Sequence, residues 1–436
     1  MEQKKSYRTA FIFVTILFFL WGFITVLVDS LIPRLREVFT LSYFQAGMVQ
    51  FAFFGAFFLL SIPAGYILSK IGYKKGIILG LSAMALGCLL FYPAASYRVF
   101  GIFMLGYFTL AAGITVLQVA ANPYVTILGP EKTASSRLNL SQAFNSLGTS
   151  IAPILGAFFI LQDKVKTTAE IEALDATAQK SYYAAEASAV QLPFLGIAVF
   201  IALIALVFFF VKLPTVSDKK ASNDYGRVLK NRNLVLGAIG LFCYVGAEVS
   251  LGSYMVNYFL NLDLANVVRE TSFMRTIAEW VLSTGVSASS DMAVVGVFVT
   301  FYWLGAMVGR FIGSYLTTIF NPAKVLSIFA VGAIGMILIS TFSVGLAAMW
   351  TIIAVGLFNS IMFPTIFSLA LDGLGDDKAQ GSGILCTMIV GGAIIPPAYG
   401  FLTDSYNFNI ALILVMACYA YIFYYAYSNK RRQVSV

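Results

Sequence analysis

The chain has 436 residues, 59% of them hydrophobic and 11% charged, with no histidine and a net charge of +8. An ordinary soluble domain carries about 25% charged residues, so a water-soluble fold is excluded. The missing histidine removes the commonest metal ligand and the commonest general base. Cys88, Cys243, Cys386 and Cys418 all sit in apolar runs without paired spacing, which supports neither a disulfide framework nor a zinc site.

The first apolar run, Phe11 to Val28, is broken only by Thr15 and Thr25. Lys4, Lys5 and Arg8 precede it, as in a signal peptide. No small-residue cleavage site follows, and many more apolar runs do, so it is expected to be an uncleaved first transmembrane helix. Twelve spans are expected in all, at 10–32, 45–69, 76–96, 99–128, 138–161, 190–213, 234–261, 293–319, 323–342, 347–371, 380–403 and 408–428. Each has about 20 residues or more, enough to cross about 30 Å of hydrocarbon. Helices satisfy their own backbone groups in lipid, so the expected class is an all-α integral membrane protein.

Charge sets the expected orientation. With the N-terminus inside, cytoplasmic segments hold 20 of the 28 Lys and Arg residues, counting Arg310 toward the cytoplasmic end of its span. This bias places both termini in the cytoplasm and explains the positive charge without a nucleic-acid partner. The basic loop at 214–233 divides the chain into an N-terminal six-helix half, 1–213, and a C-terminal six-helix half, 234–436. Gly148, Pro153 and Gly156 recur at a constant offset as Gly392, Pro397 and Gly400, in corresponding spans of the two halves, where a duplication would place them. Two long outer loops, 162–189 and 262–292, receive no chemical role. The stretch "AEIEALDATAQKSYYAAEASA" in the first has the composition of a short surface helix.

The informative residues are polar groups inside these spans, where a carboxylate at a helix centre costs roughly 2.5–3.5 kcal/mol on insertion scales. Asp29 lies one turn before Pro33, close to the outer end of the first span. Gln118 and Asn122 are one helical turn apart and precede Pro123, which weakens the helix locally. Gln142 and Asn145 share a face of the fifth span. Glu248 is mid-span in "CYVGAEVSLGSYMVNY", with Asn257 near the outer end, and Asn359 precedes Pro364. Any one amide can serve as interhelical glue. Four of them on adjacent spans suit the paired donors and acceptors of sugar hydroxyls. A deep arginine, which a strongly anionic solute would call for, is not expected, and this favours a neutral substrate.

The blocks "FFLWGFITVLVDSLIP" (18–33), "AANPYVTILGP" (120–130), "RLNLSQAFNSLG" (137–148), "YVGAEVSLGSYMVNY" (244–258) and "FPTIFSLALDGLG" (363–375) carry a resemblance over nearly the whole chain. The sequence resembles the fucose–proton symporter family of the major facilitator superfamily, in its glucose/galactose permease branch. The resemblance implies two six-helix bundles around a central cavity, and a non-enzymatic, alternating-access import of a neutral monosaccharide with a cation. A multi-pass protein of the bacterial cytoplasmic membrane is expected, monomeric, with sugar and lipid bilayer as its partners. An essential first-helix aspartate falls on Asp29, and cavity-lining fifth-helix amides fall on Gln142 and Asn145. The family's fourth-helix acid is replaced here by Gln118, and Ser69 stands where the wider superfamily usually has an aspartate. Gln118 cannot carry a proton, so coupling falls to Asp29 and Glu248. These two are also the candidate sodium ligands, and sodium is favoured over the proton. Substrate contacts are expected from Gln118, Asn122, Gln142, Asn145 and Asn359. Two readings compete: an exporter of drugs or other small metabolites on the same fold, and a membrane enzyme or a receptor that binds sugar without moving it.

Overall fold

The computed structural model describes residues 2–29, 43–160, 174–214, 225–282 and 285–434. In the first half of the chain the helices are α1 (Glu2–Asp29), α2 (Tyr43–Ile71), α3 (Tyr73–Tyr97), α4 (Phe100–Ile127), α5 (Ala134–Ile160) and α6 (Ala176–Phe210). In the second half they are α7 (Arg232–Asn261), α8 (Leu264–Glu270), α9 (Ser272–Val281), α10 (Asp291–Ile319), α11 (Pro322–Phe342), α12 (Gly345–Asn359), α13 (Met362–Ala370), α14 (Lys378–Thr387), α15 (Gly391–Ser405) and α16 (Phe408–Val434). This is an all-α, multi-span membrane fold. Eleven helical segments among the described residues are long and apolar enough to cross a bilayer. The expected fifth span corresponds to α5, and the side chains of its last residues, 154–160, lie outside the described ones.

Two spans are interrupted. The tenth breaks between α12 and α13 at Ser360 and Ile361, and the eleventh passes through a 3-10 turn, Met388–Val390, between α14 and α15. The stretch expected to form a separate surface helix differs as well, since residues 176–190 are the opening turns of α6. Asp175 starts that helix by accepting hydrogen bonds from the backbone of Thr177 and Ala178 at 2.9 and 2.8 Å, and the alanine-rich sequence then continues without a break.

The chain folds into two compact units that do not follow its midpoint. One comprises Met1–Glu131, Phe144–Val228 and Gly373–Thr387; the other comprises Lys132–Ala143, Leu229–Asp372 and Met388–Val436. Each unit therefore takes in one helical segment from the opposite half of the sequence.

In the first unit, α14 lies on α2 and α4. A Cβ at Gly383 would stand 2.6 Å from the Ser61 carbonyl oxygen and 3.3 Å from the Gly65 Cα, so only glycine allows this approach. Pro123 explains a second contact. It has no N–H to give the carbonyl of Val119, four residues earlier, and that buried carbonyl accepts from Ser382 Oγ of α14 at 2.8 Å. Arg227–Asp377 and Lys378–Glu131 ion pairs, at 2.5 and 3.6 Å, flank the start of α14. Elsewhere in this unit α1 and α5 meet closely, where a Cβ on Gly148 would fall 2.2 Å from the Phe19 carbonyl oxygen.

In the second unit, the opening of α5 is bound to α10 and α13 by hydroxyl and amide contacts. Ser135 Oγ and Ser368 Oγ are 2.6 Å apart, Ser136 Oγ donates to the Ser314 carbonyl at 2.8 Å, and Asn139 Nδ2 donates to Thr365 Oγ1 at 3.1 Å. These bonds explain the polar sequence that opens α5. Packing of α7 on α15 repeats that of α1 on α5, because a Cβ on Gly391 would fall 2.1 Å from the Phe242 carbonyl oxygen. Gly392 of the expected repeat stands next to Gly391 in α15.

Candidate functional site

The polar residues within the spans form two groups, one in each unit. In the first unit, α4 presents Gln118 and Asn122 one turn apart, but their surroundings differ. Gln118 is half-buried, and its carboxamide makes no hydrogen bond among the described residues, whereas Asn122 is fully buried. Asn145 is half-buried on α5, and its Nδ2 donates to the Phe18 carbonyl of α1 at 2.9 Å. The approach at Gly22 makes this possible: a Cβ there would lie 2.7 Å from the same Nδ2. One amide is thus committed to a neighbouring backbone and another keeps its full hydrogen-bonding capacity. Asp29 is the last residue of α1, and its side chain lies outside the described residues.

Gln142 is buried and belongs to the second unit together with the opening of α5. This unit also holds a charged pair. Glu248 is the seventeenth residue of the 30-residue α7, close to the middle of the span. Tyr244, one turn before it, donates its hydroxyl to Glu248 Oε1 at 2.6 Å. Arg310 Nη2 lies 3.9 Å from the same oxygen, and both charged side chains are only 15% exposed.

Arg310 had been expected toward the cytoplasmic end of its span. It is nine residues before Ile319, the end of α10, or about 14 Å at 1.5 Å per residue, and it points at a carboxylate. Its Nε donates to the Ser360 carbonyl at 3.1 Å. The cause of that second bond is Pro364, which has no N–H to offer the carbonyl four residues earlier. The helix resumes at once, with Thr365 N donating to the Ile361 carbonyl at 3.0 Å. Arg310 therefore completes a backbone broken by proline and neutralises an intramembrane carboxylate.

Asn359 ends α12 beside this break and is fully buried; its Nδ2 donates to Tyr302 Oη at 2.7 Å. Its Oδ1 has no hydrogen-bond partner among the described residues. Gln118 and Asn359 stand five residues before Pro123 and Pro364 respectively, on the fourth and tenth spans. Each half of the chain thus carries an amide followed by a helix-weakening proline. Sequence reasoning named Arg310 without its pairing to Glu248, and missed the contacts of Tyr244 and Tyr302. The signals that point to them are the i−4 spacing of Tyr244 from Glu248, and an arginine whose own helix carries an acid only at Asp291, nineteen residues earlier.

No group of three or more His, Cys, Asp or Glu residues that could hold a metal ion occurs among the described residues. Glu248 is flanked instead by the Tyr244 hydroxyl and the Arg310 guanidinium.

The sequence model of the Major Facilitator Superfamily matches residues 10–274. A glucose/galactose transporter of Brucella abortus biovar 1 is 48% identical, over 97% of this chain and 95% of its own. The L-fucose-proton symporter of Escherichia coli K12 is 36% identical, over 97% of this chain and 94% of its own. Among solved structures, a crystal structure of a major facilitator superfamily transporter, FucP, in the outward conformation superposes with a TM-score of 0.85 at 33% identity, covering 97% of this chain and 99% of that one. Identity at this level over nearly the whole chain, together with an all-α multi-span fold, places the protein in the major facilitator superfamily, in the branch of the glucose/galactose transporters and the fucose–proton symporter.

Proposed function

We propose that this protein imports a neutral hexose of the glucose, galactose or fucose kind by cation symport with alternating access, as a multi-pass protein of the bacterial cytoplasmic membrane. The twelve expected spans form two six-helix halves, 1–213 and 234–436, joined by the linker 214–233, with both termini in the cytoplasm. The observation that carries the reading is the end-to-end likeness to relatives named as glucose/galactose transporters. The same likeness makes the protein a transporter rather than an enzyme.

Sugar contacts come from the amides Gln118, Asn122, Gln142, Asn145 and Asn359. Gln118 is the leading one, because its donors and acceptor are unspent and partly accessible. Asn359 offers an open acceptor at Oδ1, and an unfilled buried acceptor is costly. Coupling falls to Asp29 and Glu248. With Arg310 3.9 Å from Glu248, the pair is neutral overall, and a cation that binds Glu248 must compete with a resident guanidinium. Sodium is favoured over the proton, because it accepts neutral oxygen ligands and Gln118 offers no titratable group. The protein works as a monomer.

Reconstituted protein loaded with radiolabelled glucose tests the substrate class. Glucose, galactose, mannose and fucose compete for its exchange if the reading holds, and hydrophobic cations do not. Competition by hydrophobic cations with none by sugars would instead favour an exporter.

A further inference from the structure

The segment between α7 and α10 carries none of the residues proposed above to bind sugar or cation, and its described residues include two helices. Helix α8 buries Leu264, Ala265 and Val268. Its end is fixed by Arg269, whose Nη1 lies 2.6 Å from Oδ1 of Asp291, the first residue of α10, and whose Nη2 donates to the Ser289 carbonyl at 3.0 Å. Helix α10 has 29 residues, hence a length of about 43 Å. A bilayer with its headgroups is about 40–45 Å thick, so the first residue of α10 stands at headgroup level. The Arg269–Asp291 tie holds the short helices at that depth.

Helix α9 starts one residue after α8 and has three distinct sides. At about 100° per residue, Met274 and Ala278 share one side, and both are buried against the protein. The charged side chains Arg275 and Glu279 share another; their Nε and Oε1 are 3.9 Å apart, and both are exposed. Phe273, Ile277, Trp280 and Val281 fall within about 100° of arc on the third side. Phe273 is 69% exposed, Trp280 90% and Val281 65%. A soluble surface rarely shows an apolar stripe ending in an almost bare tryptophan. Met292, at the start of α10, is likewise exposed, at 60%.

We propose that α9 is an interfacial helix: Phe273, Ile277, Trp280 and Val281 insert at the boundary between headgroups and acyl chains, and Arg275 and Glu279 face water. An amphipathic helix with aromatic residues on its apolar face is suited to that layer. The occupant of the exposed face is the lipid bilayer itself, and the helix anchors the α7–α10 connection to the membrane surface.

The test uses the full-length protein in phosphatidylcholine proteoliposomes. Emission from Trp280 is taken as the difference between the wild type and Trp280→Phe. Lipids brominated near the headgroup end of the chain should quench this difference emission at least twofold more than acrylamide does, and more than lipids brominated deep in the chain. Placing the tryptophan on the charged side, as Glu279→Trp in the Trp280→Phe background, should reverse the preference toward acrylamide. Strong acrylamide quenching of Trp280 without bromolipid quenching would overturn the proposal. So would a Trp280 shielded from both quenchers that becomes accessible to acrylamide in nanodiscs holding one protein copy, because the face would then be covered by a second copy.

Discussion

Arg310→Leu removes one member of a pair enclosed within the membrane. The guanidinium lies 3.9 Å from Glu248 Oε1, and both side chains are 15% exposed. At an effective dielectric of about 20, charges at that separation attract by about 4 kcal/mol. Stranding one partner of a buried pair typically destabilises by about 3–5 kcal/mol. The same substitution leaves the Ser360 carbonyl without its donor, for a further loss of about 1–3 kcal/mol. Glu248→Gln alone strands Arg310 instead and keeps the Tyr244 contact. The double variant Arg310→Leu/Glu248→Gln has neither orphaned charge and should recover about 2 kcal/mol or more relative to the sum of the singles. Reversible unfolding in mixed micelles measures the cycle. Losses that add to within about 0.5 kcal/mol would refute the pairing and return Arg310 to the role of an independent end-of-span charge. A further variant isolates the carbonyl: Arg310→Leu combined with Pro364→Ala supplies the missing N–H and should recover part of the loss.

Three more outcomes are expected. Ser382→Ala orphans the Val119 carbonyl freed by Pro123 and should lower stability by about 1–3 kcal/mol; adding Pro123→Ala should restore much of it, as read by thermal unfolding in detergent. Gly22→Ala places a Cβ 2.4 Å from the Asn145 carbonyl oxygen, while Gly55→Ala meets nothing within 4 Å. The first should therefore destabilise by about 1–3 kcal/mol and the second should be neutral or slightly stabilising in its helix, by the same thermal assay. Gln118→Ala should weaken sugar binding with little change in unfolding temperature, since no bond within the protein is lost; a large stability loss with unchanged sugar affinity would make Gln118 structural.

Apolar runs revealed the helices because lipid forces each span to satisfy its own backbone, so run length and helix coincide. Glu248 was visible for the complementary reason, as a carboxylate in a place that resists one. Its partner was hidden. Arg310 is 62 positions away along the chain, and from sequence an arginine nine residues from a helix end is compatible with reaching the surface. The substrate inference leaned on the absence of a deep arginine. It survives on different ground, because the deep arginine is matched by a deep glutamate. Prolines 123 and 364 were legible as weak points, but the donors that relieve them, Ser382 and Arg310, come from distant helices that no local pattern predicts. Periodicity put Gln118 and Asn122 on one helix face, yet only packing decides that the first keeps an accessible amide and the second is enclosed. The polar opening of α5 is explained by the hydroxyl and amide contacts of Ser135, Ser136 and Asn139.

Gradient-driven sugar accumulation in proteoliposomes tests the central claim most directly, with wild type, Asp29→Asn and Glu248→Gln compared under an inward sodium gradient alone and under a pH gradient alone. The account predicts accumulation by the wild type under the sodium gradient, and its loss in both variants with sugar counterflow retained in at least one. Accumulation under the pH gradient with none under sodium would overturn the choice of ion. Undiminished accumulation in both variants would contradict the coupling assignment itself.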